Sequence, residues 1–388
     1  MRQGFVLAAL LMIAAMLAAY LIFAPTNNGP AAAQSLHFDD EDRLTKRLKV
    51  ADGYRLNIFA TSVGLARVMR QTPAGNFIVT AARNGRVLLV QGDRNGDGRS
   101  DGVVPLLDGM ARPHGLIVQG DLVYIAETHR VSRYRLFDED QPSKVRLVFE
   151  GTVIDNLPND GGHSTRTITA GSDGAIYVSV GSSCNVCIEE HPWRAAILRV
   201  KGDGTVDVFA RGLRNSVGLD WKPGTSELYA VNAGSDQLGG DYPREEMNRI
   251  VEGAHYGWPY VHENNVADPK YGKKAPDGLQ FSPPHHMFTA HSTPLSIRFL
   301  RHQKNIPPGS AALVARHGSW NRPEKSGYDV VMLRWQADGT VNEDSFVSGF
   351  EIDEDVIGRP VGIAETANGD IYITDDYARV IYRVVRNH

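Results

Sequence analysis

Short runs of alternating apolar and polar residues recur along the chain, and each is followed by a polar loop and a second such run. An alternation of period two is typical of half-buried β-strands. The clearest runs are Phe77–Thr80, Leu122–Ala126, Ala175–Ser179, Glu227–Val231 and Asp370–Thr374. The complete unit of turn, strand, loop and strand occurs six times, at Gly75–Val90, Gly120–Leu136, Asp173–Val200, Ser226–Val251, Ser310–Trp335 and Gly369–Val385.

Six repeats of this kind predict an all-β fold, a six-bladed β-propeller. A single blade cannot bury both of its faces, so blades stack radially and each covers its neighbour. We assign residues 57–388 to the propeller and residues 35–56 to a linker and lead-in. The uneven spacing of the units places long insertions, which often carry function, at Asn156–His163, Ser182–Trp193, Gly234–Tyr271 and Gly272–Phe299.

The first 34 residues differ from the rest of the chain. Arg2 precedes an apolar run at residues 5–24, and a small-residue stretch ends at Ala31–Gln34. This pattern predicts either a cleaved secretory signal or a retained N-terminal membrane anchor. In both cases we expect the propeller to be exported to the periplasm, with Arg2 on the inner side of the membrane.

Composition narrows the possible partners. The 388 residues carry a net charge of −4, with no basic block or basic-aromatic stripe, so nucleic acid is not an expected partner. The 39 glycines and 20 prolines agree with many strands joined by tight turns.

The two cysteines, Cys184 and Cys187, are spaced C-x-x-C. A c-type haem site would need His directly after Cys187, and a four-cysteine zinc site would need a second pair, so both are excluded within one chain. Export permits a local disulfide. Two free thiols are the alternative.

One stretch has the alternating oxygen ligands and the flexible glycine of a calcium loop. Its candidate ligands are Asp93, Asn95, Asp97 and Asp101, with Gly98 at the sharp turn. Position twelve, where an EF-hand has its bidentate acid, is Val104. The site is therefore EF-like and structural if it binds calcium, and the alternative is an Asp/Asn/Gly hairpin.

Four further groups of residues lie where predicted loops meet predicted strands. His163 follows a Gly pair, as a general base beside a bulky ligand can, although a lone His is more often structural. Arg214 and Asn215 offer donors for a carboxylate or carbonyl, or they occupy a blade rim. Gly234 and Ser235 offer backbone carbonyls for a hard cation. His114, His317, Arg322 and Arg359 complete the set, and if gathered at one rim they would suit an anionic ligand.

Taken in this order, the motifs resemble the soluble quinoprotein glucose and sorbosone dehydrogenase family, and the sorbosone-type branch more closely. The resemblance covers nearly all of Thr45–Arg386. Each segment that carries the resemblance is a weak signal by itself, but the order of the segments along the six predicted blades is specific. The segments are Arg112–Leu116, Gly162–Arg166, Gly181–Cys187, Gly212–Asn215, Asn248–Ile250, Tyr256–Pro259 and His317–Arg322.

The resemblance implies binding of pyrroloquinoline quinone (PQQ) and Ca²⁺ at the channel mouth, and oxidation of an aldose, a sorbosone-like sugar or a related aldehyde or alcohol. It implies His163 as the base, His114, Arg214, Asn215, Arg322 and Arg359 as cofactor contacts, and Gly234 and Ser235 as carbonyl ligands of the calcium. PQQ carries three carboxylates, which several arginines would bind. Electrons would leave to an external cytochrome or quinone.

One departure from the family pattern concerns the base. In the glucose-type branch an Asp orients the catalytic His, and the aligned position here is Ser182. Either His163 is a weaker base or Asp160 replaces the missing carboxylate. The departure puts glucose activity in doubt more than it does PQQ binding.

Two other functions agree with a propeller: a calcium-dependent hydrolase of the lactonase type, and a non-catalytic scaffold. The hydrolase would need carboxylate or Asn side chains that converge on a calcium ion in the channel. This function does not explain the cluster of arginines. The scaffold would keep the fold and the loop at Asp93. The dehydrogenase hypothesis predicts that His163, Arg214, Arg322 and Arg359 face one cavity, and it fails if they scatter over different rims.

Overall fold

The computed structural model of the protein describes residues 41–139 and 141–387. The predicted signal or anchor at residues 1–34 lies outside the described residues, as do the first six residues of the predicted lead-in. Within the described ranges no helix is both long and apolar enough to cross a membrane. Helix α1 spans Glu41–Arg47, and short 3-10 turns lie at Ala82–Asn84, Pro142–Lys144 and Gly272–Lys274.

The first half of the described chain supplies the strands β1 (Lys49–Val50), β2 (Tyr54–Ala60), β3 (Ala66–Gln71), β4 (Phe77–Ala81), β5 (Arg86–Val90), β6 (Val103–Leu107), β7 (Leu116–Gln119), β8 (Leu122–Ala126), β9 (Val131–Phe137), β10 (Arg146–Ile154), β11 (Arg166–Ala170), β12 (Ile176–Val180), β13 (Ala196–Val200) and β14 (Val206–Arg211). The second half supplies β15 (Ser216–Trp221), β16 (Leu228–Asn232), β17 (Glu245–Ile250), β18 (Val261–His262), β19 (Val266–Ala267), β20 (His286–Phe288), β21 (Pro294–Phe299), β22 (Ala311–Arg316), β23 (Asp329–Trp335), β24 (Val341–Ser348), β25 (Glu351–Ile352), β26 (Asp355–Val356), β27 (Pro360–Glu365), β28 (Ile371–Asp375) and β29 (Val380–Arg386).

These strands form six antiparallel blades, which confirms the predicted propeller. The blades are β3–β6, β7–β10, β11–β14, β15–β17 with β20, β21–β24, and β27–β29 with β2. Strand β1 is added to the fifth blade, and two small hairpins, β18–β19 and β25–β26, lie outside the blades. Each of the six repeat units found in the sequence corresponds to the second and third strands of one blade.

The ring closes between the two ends of the described chain. Strand β2 pairs with β29, with Tyr54 opposite Arg386, and so completes the sixth blade from the N-terminal side. The stretch predicted as a lead-in therefore contains α1, β1 and the first residues of β2. The sixth blade is thus held together by hydrogen bonds between strands from the two ends of the described chain.

Most of the described core forms six apolar layers, each between two neighbouring blades, and a small seventh cluster of Val217, Leu295 and Val361 joins three of the inner strands. Ile78 and Leu89 of the first blade, for example, pack with Val123 and Ile125 of the second. The last layer joins the sixth blade to the first through Phe59, Met69, Phe77 and Tyr372. Because both faces of every blade are buried in this way, central strands such as β4 and β12 are buried throughout.

Antiparallel pairing sorts the loops onto two ends of the propeller. Loops between the second and third strands of a blade, and connections from one blade to the next, share one end, which we call the upper rim. Turns between the first and second strands, and between the third and fourth, share the lower rim. This sorting decides which of the predicted site residues can meet.

Candidate functional site

Most of the predicted site residues lie on the upper rim. His114, His163, Arg214 with Asn215, and Arg359 lie on connections between blades, and Gly234 with Ser235 and Arg322 lie on loops between second and third strands. His163, Arg214, Arg322 and Arg359 therefore do not scatter over different rims, which is the outcome that would have refuted the dehydrogenase hypothesis.

The predicted calcium loop lies at the lower rim, between β5 and β6. Both carboxylate oxygens of Asp93 accept backbone N–H groups, from Gly96 and Gly98, and Arg383 donates to the same carboxylate at 2.8 Å. Asp93, Asp97 and Asp101 do not form a three-carboxylate cluster in the described structure. Calcium binding by this loop stays a prediction, and it would not take part in chemistry at the upper rim.

The imidazole of His163 is held in one tautomer. Its Nδ1 lies 3.0 Å from the carbonyl oxygen of Ser182 and 2.9 Å from the Ser182 hydroxyl oxygen. The carbonyl can only accept, and the hydroxyl donates its own hydrogen to the Cys184 carbonyl at 2.6 Å. The ring hydrogen therefore lies on Nδ1, and Nε2 keeps a lone pair to which no described residue donates.

The electrostatic surroundings keep this ring neutral. Burial, and then the nearby positive charge of Arg214, lower the pKa of His163 to about 4. A neutral imidazole with an uncommitted Nε2 is chemically a proton acceptor.

Two buried arginines, Arg166 and Arg194, fix the backbone of the loop that carries His163. Arg166 donates to the carbonyls of His163 and Pro158, and Arg194 donates to those of His163 and Asp160. Arg194 also forms an ion pair at 2.8 Å with the Asp160 carboxylate, which is 86% exposed. Asp160 thus pairs with an arginine, and the contact to Nδ1 is made by Ser182.

Gly181 brings His163 and Asn215 into one place. A Cβ at Gly181 would lie 2.6 Å from the His163 Cβ and 2.7 Å from the Asn215 Oδ1. Only a residue without a side chain permits this approach. The base candidate and the predicted cofactor contact are therefore neighbours across the Gly181 backbone.

The guanidinium of Arg214 is buried and held by four acceptors, one of which is the Ala233 carbonyl, 3.4 Å from its Nη1. Its Nε donates to the Asn185 carbonyl at 2.9 Å, and its Nη2 donates to Asn185 Oδ1 at 2.9 Å and Asp236 Oδ2 at 2.8 Å. Asn321, from the loop between β22 and β23, donates to the other Asp236 oxygen at 2.8 Å. The third, fourth and fifth blades are joined here in one polar network.

Arg359 lies at the entry to the sixth blade. It donates to the carbonyls of His317 and Gly318 at 3.0 and 2.8 Å, and its guanidinium lies over the Tyr328 ring at 5.4 Å. In the described part of the chain it forms no ion pair with a carboxylate. A largely buried positive charge without a counter-ion is a suitable contact for an anion.

The neighbouring His317 is paired differently. Its Nε2 lies 2.8 Å from Asp376, whose other oxygen accepts from Arg67 at 2.7 Å. This triad connects the fifth, sixth and first blades at the same rim.

Arg322 shares the β22–β23 loop with Asn321, but its side chain has other partners. Its Nη2 donates to Asp241 at 2.9 Å, and its Nη1 donates to the Ala290 carbonyl at 3.3 Å. The Nε is buried without a partner. The Asp241 carboxylate is 92% exposed, so water screens this ion pair strongly.

His114 lines a small cavity of about 20 Å³ on the propeller axis, together with residues of all six inner strands. Its Nε2 is buried without a hydrogen-bond partner. Burial lowers the pKa of His114 well below its usual value. A space of this size holds one water molecule.

Three oxygen atoms at the start of the β16–β17 loop are uncommitted. The carbonyls of Gly234 and Ser235 accept no hydrogen bond from the described residues, although the flanking Ala233 and Asp236 carbonyls do. The buried Ser235 hydroxyl also has no partner, and the same holds for Asn321 Oδ1. Glu245 accepts the Gly234 N–H at 2.6 Å and supports this segment from below.

Cys184 and Cys187 form a disulfide, with Cα atoms 6.2 Å apart, which confirms the predicted pairing. The half-buried Glu189 lies close to both sulfur atoms. Because both thiols are oxidised, these three residues are not a metal site.

Sequence analysis assigned no role to several residues on which the site depends. Asn185 holds Arg214, Asn321 holds the Asp236 partner of Arg214, and Arg194 holds the His163 loop. Asp236 and Glu245 were noticed only as acids near the Gly234 and Ser235 carbonyls, whereas they bind Arg214 and the Gly234 N–H.

A family model described as TrAA12-like matches residues 48–387. An uncharacterized protein of Borreliella burgdorferi is 28% identical over 363 residues, which cover 88% of this chain and 92% of that protein.

Two solved structures have the same fold. The calcium structure of the Trichoderma reesei carbohydrate-active enzyme of family AA12 has a TM-score of 0.73 at 22% identity, and the match covers 88% of this chain and 97% of that one. The holo form of the PQQ domain of pyranose dehydrogenase from Coprinopsis cinerea has a TM-score of 0.71 at 19% identity, covering 87% and 97%.

Proposed function

The chain belongs to the TrAA12-like family. From this premise we propose that it is a PQQ-dependent oxidoreductase that oxidises an aldose, a sorbosone-like sugar or a related aldehyde or alcohol. The observation that carries the proposal is a continuous network on the upper rim. It runs from His163 through Ser182 and Cys184 to Asn185, then through Arg214, Asp236 and Asn321 to the loop held by Arg359.

The residues at this rim fit PQQ. The cofactor has three carboxylates, and Arg359 carries a buried positive charge without a carboxylate partner. Arg214 adds a positive charge and Asn215 a side-chain amide beside the base, and Arg322 and His114 each have a buried guanidinium or ring nitrogen without a partner. Groups of this kind are costly to bury unless a ligand satisfies them. PQQ, when bound, supplies the two-electron acceptor.

The oxygens at Gly234 and Ser235 fit Ca²⁺. Calcium prefers carbonyl, hydroxyl and amide oxygens, and the Gly234 carbonyl, the Ser235 carbonyl and the Ser235 hydroxyl are uncommitted. We propose that these atoms hold the ion. The calcium structure of the Trichoderma enzyme supports the proposal.

His163 is the proposed base. With Nδ1 donating to Ser182, its Nε2 accepts the proton of the substrate hydroxyl as the carbon that carries this hydroxyl is oxidised. The low pKa of His163 favours the neutral, accepting form at all pH values near 7.

Export and electron transfer complete the proposal. A disulfide persists in an oxidising compartment, which supports export of the propeller to the periplasm. It would be either soluble after cleavage of the N-terminal segment or attached to the membrane through residues 5–24. An external cytochrome or quinone would then accept the electrons.

Titration of the purified, chelator-treated protein with PQQ, with and without calcium, tests the function. We expect calcium-dependent binding at micromolar PQQ or below, followed by reduction of the bound cofactor when a panel of aldoses is added. Absence of binding would refute the proposal, and hydrolysis of a lactone with calcium alone would support a hydrolase.

The pH profile follows from the state of His163. A base acts only when deprotonated, so kcat/KM should be independent of pH from about 5 to 7 and fall below a pKa of about 4. An ordinary histidine would give a decline below about 6.5. Dye-coupled rates across this range, normalised to the bound cofactor, distinguish the two profiles.

A further inference from the structure

The disulfide-closed turn at the upper rim contacts both halves of the site. The turn, Ser182–Cys187, joins β12 to the rest of its long insertion, and its disulfide encloses only Asn185 and Val186. A ring this small removes little chain entropy compared with a long loop, so its contribution to global stability is limited. Its effect is therefore expected to be local.

The first contact is with the base. The Ser182 hydroxyl accepts from His163 Nδ1, and the same hydroxyl donates to the Cys184 carbonyl at 2.6 Å. That carbonyl belongs to a half-cystine, so its direction is set by the ring. Without this acceptor the hydroxyl hydrogen is free to turn toward Nδ1. The Ser182 carbonyl at 3.0 Å would then hold Nδ1–H alone, so the preference for this tautomer would weaken and part of the imidazole population would carry its hydrogen on Nε2.

The second contact is with the arginine. The backbone carbonyl of Asn185, inside the ring, accepts from Arg214 Nε, and its Oδ1 accepts from Arg214 Nη2, both at 2.9 Å. The side-chain amide nitrogen of Asn185 donates to the Asp236 carbonyl at 2.9 Å, and the Asp236 N–H donates to Asn185 Oδ1 at 2.8 Å. Opening the ring would remove one of the restraints on Asn185, which supplies two of the acceptors that fix the Arg214 side chain.

The outer side of the turn is fixed independently of the sulfur atoms. Glu189 accepts the Ser183 N–H at 2.6 Å and the Ser183 hydroxyl at 2.8 Å, and Trp258 donates to the Asn185 carbonyl at 3.2 Å. The turn is thus hydrogen-bonded to Glu189 and Trp258 on its outer side. On its inner side the Cys184 carbonyl accepts from Ser182, and the backbone carbonyl and Oδ1 of Asn185 accept from Arg214.

We infer that the Cys184–Cys187 disulfide is a positioning element of the proposed oxidoreductase, which sets the tautomer of His163 through Ser182 and the direction of Arg214 through Asn185. The inference rests on the proposed function. It adds that the oxidised state of the cysteine pair is required for a correctly arranged site, and that Ser182 and Asn185 are positioning residues.

The test uses the full-length protein in four forms: wild type, wild type treated with a phosphine reductant, Cys184→Ser/Cys187→Ser, and Asn185→Ala. The tautomer of His163 is read from ¹⁵N chemical shifts of the imidazole, and the affinity for PQQ with calcium is measured by titration. We expect the Nδ1–H form in wild type, and a mixture with the Nε2–H form after reduction or in the double variant.

Affinity for PQQ should fall roughly 10- to 100-fold in the reduced, double and Asn185→Ala forms, as is usual when a supporting hydrogen-bond partner is lost. Asn185→Ala keeps the disulfide, so its His163 tautomer should match wild type. Val186→Ala, within the same ring, is the matched control and should change neither quantity. Reoxidation of the reduced protein should restore both.

The inference is wrong if reduction leaves the tautomer and the affinity as in wild type, or if Val186→Ala alters them as much as the double variant. Failure of wild type to bind PQQ would refute the proposed function instead, and the tautomer measurement would still decide whether the ring positions His163. Thermal unfolding and circular dichroism of each form separate local change from loss of folding.

Discussion

Replacement of His163 by alanine is expected to lower kcat by about 10²- to 10⁴-fold, the usual contribution of a general base. The imidazole is the neutral acceptor at the upper rim, with Nδ1 committed to Ser182 and Nε2 uncommitted. The measurement is the steady-state rate of dye reduction by protein loaded with PQQ and calcium, with KM determined in parallel. Affinity for PQQ should change by a few-fold at most, because the predicted cofactor contacts remain.

His302→Ala is the matched control for this result. His302 lies in the turn between β21 and β22, on the lower rim, and its replacement should leave kcat within a factor of about two, as for a surface change away from the site. If His163→Ala retained the wild-type kcat while binding PQQ normally, a base other than His163 would have to be sought.

Replacement of Arg359 by glutamine is expected to weaken PQQ binding by roughly 10- to 150-fold, which corresponds to the loss of about 1.5–3 kcal/mol for one hydrogen bond to a charged group. The change removes a positive charge that forms no direct ion pair in the described chain, although Asp375 and Asp376 lie near enough to attract it. The carbonyls of His317 and Gly318 are its hydrogen-bond partners, and glutamine can still donate to one of them. Folding should therefore be affected far less than binding.

The control for Arg359 is Arg334→Gln, which removes an arginine paired with Asp344 on the outer part of the fifth blade. It should have the same thermal stability as Arg359→Gln within a few degrees and wild-type affinity for PQQ. Equal affinities of the Arg359 variant and wild type would contradict the assignment of this arginine to the cofactor.

The six repeat units were readable because the signal is local. Each alternates apolar with polar or small residues over five or so positions, as in Asp370–Thr374, and this period identifies a strand. The period is typical of a half-buried strand, whereas the stacked blades bury both faces of strands such as β28. The innermost strand of each blade was harder to predict from the sequence, because a short strand such as β7 (Leu116–Gln119) shows little alternation of apolar and polar residues. The closure of the ring by β2 and β29 depends on contacts more than 300 residues apart, which no local pattern contains.

The same division holds for the site. The sequence by itself determined which chemical groups are available: a histidine after two glycines, an Arg–Asn pair, and arginines near the ends of blades, on loops that alternation places outside the strands. Only the tertiary structure decided that these loops share one rim and that the Asp93 loop lies at the other. It also decided that Ser182 holds His163 while Asp160 pairs with Arg194, and that Arg322 pairs with Asp241. The physical reason is that residue type fixes what a side chain can donate or accept, whereas its partner is chosen by the packing of neighbouring blades and by long loops whose conformation no short-range pattern specifies.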